Sequence, residues 1–170
     1  MGVEPAGDLR QLLAQARQEP AVETKVQAVA PFQQQLRFCE SYDGTRLAYA
    51  TSGEGPPLVK VSHWLSHLDY DWRSPMCRHA TLAFSEDHTL VRYDKRGCGL
   101  SQREGFRVNF DSWVKDLAAV VDAQGLERFA LFGPSQGGAI AVEYAYRHPE
   151  RVSHLIILGG FAHIELDALE

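Results

Sequence analysis

The sequence predicts an α/β domain around a mainly parallel sheet, on three observations. Beyond an opening hairpin, short apolar segments alternate with longer segments whose apolar residues recur at helical spacing. The apolar segments are apolar throughout, as in strands buried on both faces. Gly and Pro stand at the junctions. At 170 residues the chain has the length of one domain. Its 45% hydrophobic and 23% charged content is that of a globular protein, which excludes disorder of the whole chain. Seventeen Lys and Arg against 22 Asp and Glu leave a formal charge of −5 with His neutral. That balance argues against binding dominated by phosphate contacts, and no nucleic-acid partner is expected.

The elements follow in order. Leu9, Leu12, Leu13 and Ala16 at helical spacing, with Asp8 as a cap and Pro20 as a stop, predict a helix over 8–19. Residues 20–34 have no sustained period, so 1–34 reads as a helical arm and linker and 35–170 as the core. Strands are expected over 35–42 and 46–51 around the Asp43-Gly44 turn, with Leu47 and Tyr49 alternating against Arg46 and Ala48. A turn at 53–57 leads to a strand over 58–61. A helix is expected over 73–86 once Pro75 is passed, then a strand over 88–93 and a glycine-rich turn over 94–99. Asp111 is the expected cap of the next helix. Its apolar stripe is Trp113, Leu117, Val120 and Val121, its charges are Lys115, Asp116 and Asp122, and Gly125 ends it. A strand over 129–132, a helix over 136–147 closed by Pro149 and an apolar strand over 152–158 complete the alternation.

Glu4, Asp8, Gln11 and Gln15 interrupt what a signal peptide would need as an apolar stretch. The run over 155–162 is only eight residues, well short of a membrane span. Cys39, Cys77 and Cys98 are odd in number and widely spaced, and no Cys-x-x-Cys pair occurs. A cytoplasmic protein without a membrane partner is the expectation.

The most informative segment is Gly133-Pro134-Ser135-Gln136-Gly137, a G-x-S-x-G with an apolar strand before it and a helix after it. In such a strand-to-helix turn the serine is held in strained backbone geometry, and side chains at 133 or 137 would collide with neighbouring backbone. The turn sets Ser135 Oγ beside a helix N-terminus, where N–H groups can stabilise a developing oxyanion. A glycine-rich corner with an idle serine is the competing reading.

With these residues in place the chain resembles the α/β-hydrolase superfamily. Within it, the likeness is to hydrolase-like domains found alone or fused to bacterial transcriptional regulators and adenylate cyclases. It rests on Y-D-G-T-R-L-A-Y at 42–49, W-L-S-H-L-D-Y-D-W at 64–72 and R-Y-D-K-R-G-C-G-L-S at 92–101. G-L-E-R-F-A-L-F-G-P-S-Q-G-G at 125–138 and R-H-P-E-R-V-S-H-L-I-I-L-G-G at 147–160 complete it. The resemblance implies that Ser135 is the nucleophile and that the backbone N–H groups of Gln136 and Trp64 form the oxyanion hole. Ser62-His63-Trp64 stands where many relatives have His-Gly followed by an apolar residue. It also implies an architectural turn at Asp94, Arg96, Gly97, Gly99 and Ser101. Gly97 and Gly99 suit positive φ there, and Asp94 and Arg96 are expected to bind each other or nearby backbone.

A serine nucleophile needs a base and an acid to orient it. In relatives these follow the seventh and eighth strands, in the order Ser, acid, His. Only 35 residues follow Ser135 here, so the fold is expected to be truncated after the sixth strand, without the usual triad acid and histidine. Glu165 or Asp167 is a weak candidate acid and His163 a weak candidate base. His148 lies about 20 Å along the Ser135 helix at about 1.5 Å per residue. His63 is the better-placed internal alternative, and His63 and Leu68 are expected to line a pocket. His63, His67, Asp69 and Asp71 lack a third ligand at diagnostic spacing, so neither a metal nor another cofactor is expected.

The last strand, with Leu155, Ile156, Ile157 and Leu158, would form an exposed apolar edge, which favours a homodimer through that edge. Two functions remain open. One is a serine hydrolase of a small ester or acyl substrate, completed by residues beyond this chain. The other is a non-catalytic ligand-binding or dimerisation module of a bacterial regulatory protein.

Overall fold

The computed structural model describes residues 33–161. The helix expected over 8–19, the linker before residue 33, and His163, Glu165 and Asp167 lie outside the described residues. Six strands form one sheet among the described residues: β1 (Gln35–Glu40), β2 (Arg46–Ser52), β3 (Pro57–Lys60), β4 (Thr89–Tyr93), β5 (Phe129–Pro134) and β6 (Val152–Leu158). Their spatial order is β1-β2-β4-β3-β5-β6. β1 and β2 are antiparallel, β2 meets β4 antiparallel, and the remaining pairs are parallel. Four helices connect them: α1 (Leu68–Arg73), α2 (Pro75–Asp87), α3 (Phe110–Ala123) and α4 (Gly137–Arg147). The α/β class and the mainly parallel sheet are as the sequence predicts.

The hairpin forms where Asp43-Gly44 requires it. Gly44 takes φ +79°, the Thr45 N–H donates to Asp43 Oδ1 at 3.2 Å, and the Ser41 N–H closes the turn on the Thr45 carbonyl. The alternation expected along β2 is overturned: Leu47 and Ala48, on opposite faces, are both fully buried. β2 lies inside the sheet between β1 and β4, so helices cover both its sides. The main core packs Val59, Val91 and Leu131 against Leu117 and Val120 of α3 and Ile140 of α4. On the other face Leu58, Leu90 and Phe132 meet Phe84 of α2.

Two boundaries differ from expectation. A separate short helix, α1, precedes α2, started by His67, whose Nδ1 accepts from the Tyr70 N–H. At six residues it is too short to show a period in sequence. The cap of α3 is Asn109 rather than Asp111, in a reciprocal capping box with Ser112. Asp111 instead sits in the first turn and pairs with Lys115 and Arg147. β6 is the exposed apolar edge that its sequence predicts: Leu155, Ile156 and Ile157 are each more than 40% exposed. No helix among the described residues is long and apolar enough to cross a membrane.

The topology itself marks a site. From β3 the chain crosses to β4 on one side, then returns past β3 to β5 and on to β6 at the far side. The loops leaving the C-terminal ends of β3 and β5 therefore diverge, and ligands of open α/β sheets bind in the crevice so formed. The loop after β3 carries His63 and Trp64, and the one after β5 carries Ser135 and Gln136.

Candidate active site

Ser135 has φ +49°, the sole non-glycine residue with positive φ among the described residues. A left-handed backbone costs an L-residue about 1–2 kcal/mol, so the surroundings must impose it. They do so through glycines. A Cβ on Gly133 would stand 2.8 Å from Ala141 Cβ and the Gly137 carbonyl oxygen. One on Gly137 would stand 3.2 Å from the carbonyl oxygens of Val61 and Ser62, and one on Gly138 would stand 3.0 Å from Gly160 Cα. Each small residue thus brings α4 onto β3, β5 or the segment after β6. Two hydrogen bonds of 2.9 Å fix the turn, from the Ser135 N–H to the Leu158 carbonyl and from the Gly138 N–H to the Ser135 carbonyl. Ser135 itself is exposed, at the N-terminus of α4.

The Gln136 and Trp64 N–H groups donate to no other group among the described residues. Both belong to segments brought together by the packing of Gly137 on Val61 and Ser62. The Trp64 side chain is 71% exposed, and Leu68 is a core residue at 2%, packed with Ala48 and Ala50. His63 is half-buried. Burial, helped by the nearby positive charges of Lys60 and Lys95, holds its imidazole below the ordinary histidine pKa, which keeps it neutral at pH 7. No imidazole or carboxylate is hydrogen-bonded to Ser135 Oγ among the described residues. His148 lies at the far end of α4, against the Tyr144 ring. No three His, Cys, Asp or Glu side chains converge on a possible metal position among the described residues.

The 94–99 turn forms the floor beside this site. Asp94 binds backbone and not Arg96: its Oδ2 accepts from the N–H groups of Leu68 at 3.2 Å and Leu100 at 2.9 Å. Gly99 has φ +50°, and a Cβ there would overlap the Asp94 carboxylate. Arg96 instead pairs with Asp116 and Asp43 and donates to the Arg107 carbonyl. Asp116 is therefore fully buried, where its position on α3 suggested a solvated charge. Sequence reasoning passed over Lys95 in this turn. Its side chain reaches Gln136 Oε1 at 2.5 Å, and its residue is 5% exposed. A lysine between Asp94 and Arg96 reads as one more surface charge, and nothing local signals its burial.

Comparison with known proteins adds the family. The alpha/beta hydrolase fold family matches residues 64–169. A cis-3-alkyl-4-alkyloxetan-2-one decarboxylase of Shewanella oneidensis is 33% identical over 122 residues, 69% of this chain and 36% of that protein. A 2-hydroxy-6-oxo-2,4-heptadienoate hydrolase of Pseudomonas putida is 34% identical over 109 residues, 64% of this chain and 35% of that protein. Among solved structures, an esterase from Rhodococcus sp. ECU1013 superposes with TM-score 0.65 at 28% identity, covering 76% of this chain and 47% of that one. The chain thus spans little more than a third of the length of these two curated relatives. With the strained Ser135 turn at the switch point of a 1-2-4-3-5-6 sheet, the chain belongs to the α/β-hydrolase family.

Proposed function

We propose that this chain carries the nucleophile half of a serine hydrolase acting on a small carboxylic ester or similar acyl compound. The observation that carries the reading is the positive φ of Ser135, over-determined by the close packing at Gly133, Gly137 and Gly138 at the mouth of the β3–β5 crevice. Strain maintained at an exposed serine has no use in packing, and it aims Oγ out of the sheet. In the reaction Ser135 Oγ attacks the acyl carbon and its proton passes to a base. The carbonyl electron pair moves onto oxygen, where the Trp64 and Gln136 N–H groups hold it. Collapse expels the leaving group, and water then hydrolyses the acyl-serine. We place the base and acid outside the described residues, with His163 and Glu165 or Asp167 as the candidates there and His63 as the internal alternative. No cofactor enters these steps. The esterase among the structural relatives supports this substrate class.

A second reading is a non-catalytic module that binds a small ligand or dimerises, alone or fused to a bacterial regulator. It is favoured by the exposed apolar edge of β6 and by the lack of an imidazole partner for Ser135 among the described residues. Intact mass spectrometry before and after an organophosphonate serine probe separates the two. A single adduct on the protein that disappears in Ser135→Ala supports the hydrolase. An unlabelled wild-type protein removes that reading and leaves the module.

A further inference from the structure

We propose that Lys95 is a positioning residue for the oxyanion hole, clamping its two halves together and holding a fixed positive charge beside it. The inference rests on the serine-hydrolase reading and adds a part that the nucleophile turn does not itself reveal. Lys95 follows β4, which is not one of the strands bearing the proposed oxyanion donors, yet it touches both donor segments. Its backbone N–H donates to Ser62 Oγ at 3.3 Å, two residues before Trp64. Its ammonium donates to the side chain of Gln136, the residue after Ser135. Three residues on in the same turn, Cys98 Sγ lies 3.8 Å from the Trp64 carbonyl oxygen.

The electrostatic setting is unusual for a lysine. The residue is 5% exposed, and no carboxylate pairs with its ammonium among the described residues. Its compensation is the Gln136 amide oxygen and the face of the Trp113 ring, whose centroid is 4.5 Å from Nζ. A desolvated cation with only neutral partners is costly unless a negative charge develops near it. An oxyanion held by the Gln136 N–H supplies that charge during the reaction. The titratable groups around Lys95 are His63 on the β3 loop and Cys98 in its own turn. Burial pushes the ammonium below the ordinary lysine range, so its charge is lost at a lower pH than that of a free lysine as pH rises.

The test measures the rate of Ser135 phosphonylation by mass spectrometry, as a function of pH, in wild type, Lys95→Met and Lys95→Arg. Lys95→Met keeps the side-chain bulk but loses the charge and the bond to Gln136. Its labelling is expected to slow about 10- to 100-fold, somewhat less than the 10²–10³ of losing an oxyanion donor outright. The wild-type rate is expected to fall on the alkaline side, below the ordinary lysine pKa of about 10.4. In Lys95→Arg that fall disappears and the neutral-pH rate recovers to within about fivefold, because a guanidinium stays charged. Lys95→Met labelling within about twofold of wild type overturns the proposal, as does an alkaline fall that persists in Lys95→Arg. Should Lys95→Met fail to fold, the pH profile of Lys95→Arg alone decides. A wild-type protein that takes no label at all overturns the hydrolase reading, and this inference with it.

Discussion

The buried ion pair between Arg96 and Asp116 offers the sharpest test of how the core supports the site. Both side chains are wholly buried, 2.6 Å apart at the Arg96 Nη2–Asp116 Oδ1 contact. Arg96 Nε adds a second bond to Asp116 Oδ2 at 2.8 Å, and Nη1 reaches Asp43 Oδ2 at 2.7 Å. Removing one partner of such a pair costs about 3–5 kcal/mol, since the other charge stays buried and uncompensated. The partners left behind set the order. Arg96→Ala strands Asp116 with the Ser41 hydroxyl as its remaining hydrogen-bond donor, so the loss sits at the top of that range, about 5 kcal/mol. Asp116→Ala leaves Arg96 both oxygens of Asp43 and the Arg107 carbonyl, and about 3 kcal/mol is expected. Asp43 is an exposed residue, and Asp43→Ala is expected to cost about 1 kcal/mol. Urea unfolding followed by far-UV circular dichroism reads all three, with m-values checked for constancy. The double variant Arg96→Met/Asp116→Leu removes both charges together and should recover most of the loss. Equal costs for Asp43→Ala and Asp116→Ala would refute the reasoning, because burial then would not govern the pair.

Further outcomes follow from the same geometry. Ser135→Gly is expected to be more stable than Ser135→Ala by about 0.5–1 kcal/mol, the relief of left-handed strain less the entropy that Gly adds to the unfolded chain; a less stable Gly variant would mean that the turn is not strained. Gly133→Ala, which drives a methyl to 2.8 Å from Ala141 Cβ, should cost about 1–3 kcal/mol, while Gly125→Ala, with open space around it, loses only its φ +67° freedom, at most about 1 kcal/mol. The hydrogen bond from Arg96 depresses the Asp43 pKa, so its share of stability is intact above the unfolded value of about 3.9 and is lost only as pH falls through the lower folded one. Asp43→Asn should remove that acid limb from a stability–pH curve, and parallel curves would contradict the pairing. Sedimentation of the chain should show self-association that Ile156→Lys, at a 48% exposed position on β6, weakens.

What the sequence made legible was local. The Ser135 turn was readable because strand, five spaced residues and helix lie within a single stretch, and small residues at 133 and 137 have no other common reason. The hairpin at Asp43-Gly44 and the helix end at Gly125 were readable on the same terms, each being a backbone demand met by a glycine. Asp116 was not. Its position among Lys115 and Asp122 marks a polar helix face, and only the arrival of Arg96, 20 residues earlier in the chain, turns that face inward. Lys95 fails for a related reason, since its partner Gln136 is 41 residues away. Burial of both faces of β2 was equally hidden, because it depends on the neighbours that the topology supplies on each side. Charges that are paired across the fold look like solvent charges until the fold is known.

The nucleophile turn also depends on β6, an edge strand that the described residues leave half bare. Ser135 donates its backbone N–H to the carbonyl of the last residue of β6, and Gly138 of α4 rests on Gly160 just beyond it. β6 thus braces one side of the turn while Val61 and Ser62, through Gly137, brace the other. The two braces differ in support. β3 lies between β4 and β5, whereas β6 pairs with β5 alone and keeps Leu155 to Leu158 exposed. An edge strand opens more readily than a central one, so the strain at Ser135 is held least firmly from the β6 side. Any segment that covers β6, from the same chain or from a second copy, would stiffen the bond from Ser135 to Leu158. On the two proposed functions, association at this edge and reactivity at Ser135 would be coupled through a single strand, the structural element that both share.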